Sequence, residues 1–209
     1  MPKRNPNIAR PSIEQVKHYL DAWEKLENYR LQETALNKLF SEICKGNTDL
    51  SNILIKVAAL NDFYSTNIFS VFPVAKHIKE LNIDSRLQEG DVQLVSEIQR
   101  VKIDKSNKNF YSFATKYCSH HNEAAYPIYD SYVGTMLCYF KRRDRFFEFV
   151  KEDLRNYEMF KTIIMAFCEF YALEGFSLKE IDRYLWLLGK KFFPKKYSAR
   201  KKNNKRYHS

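Results

Sequence analysis

The sequence is poor in the residues that make turns. Its 209 residues include only five glycines and six prolines, whereas sandwiches and barrels built from short strands need turn residues at each of their many connections. An all-β fold is therefore disfavoured. With 44 % hydrophobic residues the chain can bury a substantial core, either as one domain or as two small lobes that share a cleft. The predicted fold class is all-α.

Cysteine is scarce and widely spaced. No C-x-x-C pair occurs among the four cysteines, which are Cys44, Cys118, Cys138 and Cys168. A disulfide framework or a four-cysteine zinc site would need a denser or more regular spacing. We interpret these residues as small buried side chains in a reducing compartment.

Long hydrophobic runs are also missing. The longest apolar stretch, at about residues 163–173, is interrupted by Glu169 and falls short of the roughly 20 apolar residues that a membrane span needs. The segment Met1–Pro11 is polar and broken by prolines, unlike a signal peptide. We therefore expect a cytoplasmic protein with no membrane partner.

Acidic residues are absent from both ends of the chain. Residues 1–12 and 190–209 together hold 12 of the 35 basic side chains, so residues 13–189 carry 23 basic and 25 acidic ones. The net charge of +10 thus belongs to the ends. We predict a basic N-terminal tail over residues 1–12, a single all-α domain over 13–193 that could divide into two helical lobes, and a disordered basic tail over 194–209.

Basic tails of this kind bind polyanions through phosphate contacts and counterion release, and they also serve as solubilising ends. We predict DNA as the partner, with RNA as the alternative. The tail residues predicted to contact nucleic acid are Lys195, Lys196, Arg200, Lys201 and Lys202.

Apolar residues recur at helical spacing along the body of the chain. Capping patterns occur where Ser12 precedes Gln15 and where Ser177 precedes Glu180, and Gly46 and Gly175 are predicted helix stops. The pattern predicts helices over about residues 13–29, 36–45, 51–66, 72–81, 91–101, 109–121, 131–140, 146–154, 157–173 and 177–188.

Residues able to do chemistry concentrate between Asn109 and Phe140. This stretch reads as a helix, a loop stiffened by Pro127, and a second helix capped by Asp130 or Ser131. Five polar or reactive residues are brought near one another there: Lys116, Cys118, His120, His121 and Asp130. We predict a cleft lined by Tyr64, Ser112, His120, His121 and Tyr126.

Each of these residues also has a structural interpretation. Lys116 falls on the polar side of its helix, where it would face either solvent or a cleft, and Asp130 would act as a helix cap. Cys118, His120 and His121 could bind zinc, or Cys118 could be a nucleophile activated by histidine. Adjacent residues on a helix point about 100° apart, however, so the two histidines do not face one ion. We predict neither a metal nor another cofactor.

Two short motifs carry a resemblance to a known family. The segment A-T-K at Ala114–Lys116, followed by Y-P-I-Y-D-S-Y-V-G-T-M-L at Tyr126–Leu137, resembles the catalytic segment of the helix-hairpin-helix DNA glycosylases. The stretch from Tyr111 to Asp130 is also similar to a set of uncharacterised bacterial proteins. The resemblance implies a two-lobed helical protein that extrudes a base from DNA into the cleft between the lobes.

The resemblance also implies roles for two residues. Asp130 would be the carboxylate that stabilises positive charge at the sugar or activates the nucleophile, and Lys116 would be the lysine that attacks the sugar in bifunctional members. The glycine-rich and proline-rich turn that grips phosphates in the family is replaced here by D-K-S-N-K-N-F-Y. Lys105, Lys108 and the basic tails would have to replace that phosphate contact.

The sequence leaves catalysis open. A rival hypothesis from another class is a non-enzymatic helical interaction module, associated with defence or regulation, that uses a tyrosine-rich cleft to bind a protein or a small ligand.

Overall fold

The computed structural model describes residues 6–194. Its described part contains ten α-helices, a π-helical segment, a short 3-10 helix and one pair of strands, which confirms the all-α fold class. The elements, in chain order, are α1 (Ile13–Glu24), α2 (Glu27–Lys38), the π-helical segment (Leu39–Ile43), α3 (Leu50–Tyr64), α4 (Val71–Glu80), α5 (Asp84–Glu89), α6 (Gln93–Ile98), β1 (Arg100–Ile103), β2 (Ser106–Asn109), α7 (Tyr111–His121), α8 (Ser131–Asp144), the 3-10 helix (Lys151–Arg155), α9 (Tyr157–Phe170) and α10 (Leu178–Phe192).

Side-chain caps begin many of the helices. The hydroxyl or carboxylate of Ser12, Asp49, Asp130 and Ser177 accepts a hydrogen bond from a backbone N–H in the first turn of α1, α3, α8 and α10. Such a cap satisfies a helix N–H that otherwise lacks a partner. At α10 the predicted capping box is complete, because the Glu180 carboxylate accepts a hydrogen bond from the backbone N–H of Ser177.

Several helix ends lie elsewhere than predicted. The predicted first helix is divided at Lys25 and Leu26 into α1 and α2, and α2 continues through the π-helical segment to Cys44, so Gly46 does not cap it. Helix α9 ends at Phe170, and the left-handed residue beyond it is Ala172 rather than Gly175. The spacing of apolar residues along the chain does not reveal such breaks, because the buried face continues across them.

Two predicted helical stretches are wrong. Residues 146–150 are an extended connection, and only the 3-10 helix follows them. The predicted fifth helix ends at Ile98, and the chain from Arg100 to Asn109 forms the antiparallel hairpin β1–β2, with Val101 opposite Lys108. Val101 and Ile103 alternate with exposed cations, a period-two pattern that belongs to a half-buried strand.

Helix α7 lies in the middle of the fold, against α3, α5 and α6, while α10 packs against α1 and α8. The core contains many rings, and most buried tyrosine hydroxyls reach a polar partner. Tyr117 donates to the Asn47 side chain, and Tyr157 donates to the carbonyl of Pro127. These bonds tie α7 and α9 to the loops beside them.

Residues 6–12, at the basic N-terminal end, lie against α8 and α9. Ile8 is 2 % exposed, its N–H donates to the Tyr139 hydroxyl, and its carbonyl accepts from Arg143. The Arg10 guanidinium stacks over the rings of Phe170 and Tyr171. Among the described residues, no helix is both long and apolar enough to cross a membrane.

Candidate functional site

Lys116 is buried within the fold. It is 3 % exposed, and its ammonium donates to the Ser112 hydroxyl at 2.7 Å, to the Tyr129 carbonyl at 3.3 Å and to the Ser112 carbonyl at 3.4 Å. The ring of Tyr64 lies 5.2 Å from the ammonium nitrogen. The sequence predicted that Lys116 faces either solvent or a cleft, and the structure instead buries its ammonium among three oxygens of Ser112 and Tyr129.

Asp130 is held next to Lys116 by hydroxyl groups of α7. Thr115 accepts the backbone N–H of Tyr129, and Ser112 donates to the Tyr129 carbonyl. The following residue, Asp130, caps α8 by accepting the N–H of Tyr132 at 2.7 Å. The loop therefore enters α8 in one orientation, with the Tyr129 carbonyl fixed beside the Lys116 ammonium.

A second carboxyl group in this region belongs to Asp182, on α10. Burial raises the pKa of Asp182 to about 7, while the charges of Lys179 and Lys116 oppose that rise and the charge of Asp130 adds to it. Its Oδ1 atom is buried and forms no hydrogen bond within the described part of the chain. A buried carboxyl group whose pKa is raised towards neutrality is suited to accept or release a proton near neutral pH.

Tyr64 and His120 form a second pair of interacting side chains in this region. The Tyr64 hydroxyl lies 3.1 Å from Nε2 of His120. Burial lowers the pKa of His120 well below 6.5, and Lys179, His121 and Lys116 lower it further, so the ring is neutral. Burial raises the pKa of Tyr64 to about 12. Neither group carries charge at neutral pH.

A buried ion-pair network borders these groups on α2 and α10. Glu33 is 8 % exposed and accepts from Lys179 at 2.9 Å and from Arg183 at 2.5 Å. Burial alone would lower the pKa of Lys179, but its electrostatic interactions with Tyr64, Glu33 and Asp182 outweigh burial and raise that pKa. We define the interhelical cluster as Glu33, Tyr64, Lys116, His120, Asp130, Lys179, Asp182 and Arg183.

An open pocket of about 460 Å³ lies beside this cluster. Thr66, Gln99, Asn109, Ser112 and Arg155 contribute polar groups to its wall. Ser112 contacts both spaces, because it lines the pocket and accepts a hydrogen bond from the Lys116 ammonium.

Two of the predicted cleft residues lie outside the cluster. His121 belongs to a second buried network, where its Nε2 lies 3.2 Å from the Lys56 ammonium and 3.3 Å from the Asn47 amide. Tyr126 is fully buried, and its hydroxyl lies 3.1 Å from the carbonyls of both Arg86 and Asp91. Tyr64, Ser112 and His120 do lie next to Lys116.

The cysteine and histidines of α7 have separate surroundings. Cys118 is fully buried, and burial raises the pKa of its thiol above the ordinary value. His120 contacts Tyr64 and His121 contacts Lys56, so the two rings serve different networks. No group of three His, Cys, Asp or Glu side chains within residues 6–194 is arranged to hold a metal ion.

The predicted nucleic-acid contacts are only partly within the described residues. Lys105 and Lys108 are exposed on the β1–β2 hairpin. Lys195, Lys196, Arg200, Lys201 and Lys202 lie outside the residues that the structure describes.

Sequence reasoning missed Asp182, Lys179 and Glu33. Their helices show ordinary apolar stripes, and charged residues beside such a stripe are usually exposed. One local signal was available, because Lys179, Asp182 and Arg183 recur at spacings of three and four and so share one side of α10.

Comparison with known proteins places the chain in a family. The family model HI_0787_N, described as an N-terminal domain, matches residues 15–125. The chain belongs to this family. An uncharacterised protein of Haemophilus influenzae is 50 % identical over 149 residues, which cover 71 % of each chain. The family match spans α1 to α7 and so includes Lys116, whereas Asp130 and Asp182 lie beyond it. No solved structure matches the chain.

Proposed function

We propose that this HI_0787_N family protein binds DNA and cleaves the bond between base and sugar at the interhelical cluster, in the manner of a DNA glycosylase. The observation that supports the proposal is that Lys116, on α7, and Asp130, at the start of α8, both interact electrostatically with Asp182 on α10, while Ser112, which accepts a hydrogen bond from the Lys116 ammonium, lines an open pocket. A lysine and two carboxylates with different environments can divide the tasks of nucleophile, charge stabiliser and proton acceptor.

The chemistry assigns each group a role. When the glycosidic bond breaks, the base leaves with the bonding electrons and positive charge develops on the sugar. Asp130 would stabilise that charge because its carboxylate lies at a fixed helix cap. In a lyase the Lys116 amine adds to the sugar carbon, so the ammonium must first lose a proton. Asp182, with a pKa of about 7, is the acceptor.

A trapping experiment tests this function. Borohydride reduction during incubation with DNA that carries an abasic site should yield a covalent complex with the parent protein, and Lys116→Ala should yield none. With DNA that carries a damaged base, Asp130→Asn should slow base release, and the trapping that follows it, at least tenfold while binding stays nearly unchanged, because a carboxylate that acts on developing charge contributes in the transition state.

The matched control is Asp49→Asn. Asp49 caps α3 with the same type of bond that Asp130 makes at α8, and asparagine caps about as well as aspartate. This variant should trap like the parent. Absence of a trapped complex with the parent, together with no base release from damaged DNA, would reject the enzymatic proposal.

An interaction module is the second candidate, and one surface favours it. Phe69 is 97 % exposed and Phe72 is 55 % exposed, both at the start of α4. Neighbouring exposed aromatic rings of this kind mark contact sites for other macromolecules. In this case Lys116 acts only as a buried clamp between α7 and the loop before α8. Its ammonium, which donates to three oxygens, is suited to that role.

A further inference from the structure

The β1–β2 hairpin is a polar arm on a helical protein. It projects between α6 and α7, and all four residues of β2 are exposed. The ladder continues into the body of the protein, because the N–H of Phe110 donates to the carbonyl of Gln99. The hairpin is thus anchored at its base, while its outer strand and turn remain free of the core.

The pairing of β1 with β2 determines on which face of the hairpin each side chain lies. Residues opposite each other in an antiparallel pair project on the same side of the sheet. Arg100 therefore shares the outer face with Asn109, and Lys102 shares it with Asn107. Val101, which is 1 % exposed, and the partly buried Ile103 occupy the inner face against the body.

The outer face carries hydrogen-bond donors and no acid. Arg100, Lys102, Asn107 and Asn109 are all exposed, and neither cation forms an ion pair with any residue in the described part of the chain. The acid of the hairpin, Asp104, lies in the turn beside Lys105, at a left-handed φ of 53°. Glu97, just before the hairpin, is already bound by Arg86.

The hairpin also borders the open pocket. Gln99 and Asn109, the residues at its base, line the pocket together with Ser112. Arg155 stands on the same wall, where its guanidinium lies 5.0 Å from the ring centre of Tyr129. Because the base of the hairpin and Arg155 line the same pocket, a polyanion that lies along the outer face would also lie near Arg155.

We propose that the outer face of the β1–β2 hairpin binds the phosphate backbone of duplex DNA and positions it over the pocket. A two-stranded ribbon fits the major groove of a duplex, and arginine, lysine and asparagine are common donors to phosphate oxygens. This inference rests on the proposed function. It assigns the body of the protein, and not only its basic ends, a surface for DNA.

The test compares two double variants with equal loss of charge. Arg100→Gln/Lys102→Gln removes the outer cations of the hairpin, and Lys38→Gln/Lys45→Gln removes two exposed cations from the region of α2 and the loop that follows it. Affinity for a fluorescent duplex is measured by anisotropy across a series of salt concentrations. The full-length chain is used throughout, and circular dichroism verifies that each variant is folded.

The hairpin variant should bind more weakly and with a salt slope lower by up to about two, because each phosphate that a protein cation neutralises contributes about 0.9 to the slope on duplex DNA. The control variant should keep the slope of the parent, and Arg100→Lys/Lys102→Arg should recover most of the affinity. Equal slopes for the hairpin variant and the parent would overturn the inference and leave the proposed function standing.

Other outcomes are equally decisive. If the parent binds no DNA, or binds only an RNA duplex, the inference fails together with the DNA part of the proposed function. If the hairpin variant loses affinity while the parent gives no trapped complex, the hairpin assignment holds and only the catalytic proposal fails.

Discussion

At the residue scale, two buried lysines of the protein are stabilised in the same way, by hydrogen bonds from the ammonium group to protein oxygens. Lys56 is fully buried and donates to the carbonyl of Gly46 and the side chain of Asn47, much as Lys116 donates to Ser112 and Tyr129. A buried ammonium persists only where oxygens replace its lost water. The neighbours of Lys56 differ from those of Lys116. Nε2 of His121 lies 3.2 Å from the Lys56 ammonium nitrogen. Among the described residues, no carboxyl group near Lys56 lacks a hydrogen-bond partner.

His121 should make stability depend on acidity. Burial and the charge of Lys56 together lower the pKa of His121 to about 3, although the charge of Asp84 opposes this shift. The unfolded histidine takes up a proton near its ordinary pKa of 6.5 while the folded one stays neutral, so the folded state loses stability as pH falls from 6.5 towards 3. This histidine alone contributes about 1.4 kcal/mol per pH unit.

Chemical denaturation between pH 7 and pH 4 measures this effect. His121→Gln should lower the slope of unfolding free energy against pH, although part of the slope will remain because the pKa of His120 is also lowered. His18→Gln, at an exposed position on α1, is the control and should follow the parent. A slope that does not change in His121→Gln would contradict the prediction.

At the scale of secondary-structure elements, the most important contact is the packing of α8 against α10. Gly189 on α10 lies so close to α8 that a Cβ atom there would stand 2.7 Å from Cβ of Tyr132 and 3.0 Å from its carbonyl oxygen. The same two helices supply Asp130 at the start of α8 and Asp182 on α10. The close approach therefore helps to fix the position of α8, which begins after Asp130, relative to α10, which carries Asp182.

Gly189→Ala should destabilise the protein by about 1 to 3 kcal/mol, because the added methyl group pushes α8 and α10 apart. Helix propensity alone predicts the opposite sign, since alanine is better than glycine by up to about 1 kcal/mol within a helix. Urea denaturation measures the difference. Gly175→Ala, where an added Cβ meets nothing within 4 Å, serves as the control. If Gly189→Ala were as stable as the parent, the two helices could not be in close contact.

At the scale of the whole molecule, the net positive charge lies at the two ends of the chain and not in its body. The 23 basic and 25 acidic side chains of residues 13–189 almost balance, so the net charge of +10 lies near the two ends. Long-range attraction to a polyanion then depends mainly on the ends, while orientation depends on local surfaces such as the hairpin.

Truncation after Pro194 tests this division. It removes seven positive charges, at Lys195, Lys196, Arg200, Lys201, Lys202, Lys205 and Arg206. Duplex binding should weaken and its salt dependence should flatten, by about 0.9 for each phosphate that the truncated chain no longer neutralises. A truncated protein that binds with the parent's affinity and salt slope would mean that this end of the chain only aids solubility.

Much of the fold could be predicted from local sequence, and the candidate site only in part. Helix starts at Ser12 and Ser177 were readable because a cap and its helix are a few residues apart. Lys116 and Asp130 were found because both lie in one short motif. The hairpin was missed because two four-residue strands present too few residues for their period to stand out from that of the neighbouring helices.

The sequence by itself determined the helical class, most helix starts, and the separation of a nearly neutral body from basic ends. These properties follow from composition and from interactions between near neighbours. Only the tertiary structure decided that Lys116 is buried, that His120 and His121 form hydrogen bonds in different networks, and that Asp182 interacts electrostatically with Lys116 and Asp130. Burial and pKa depend on groups that meet across long stretches of chain, and no local pattern encodes which helices approach closely enough to bring them together.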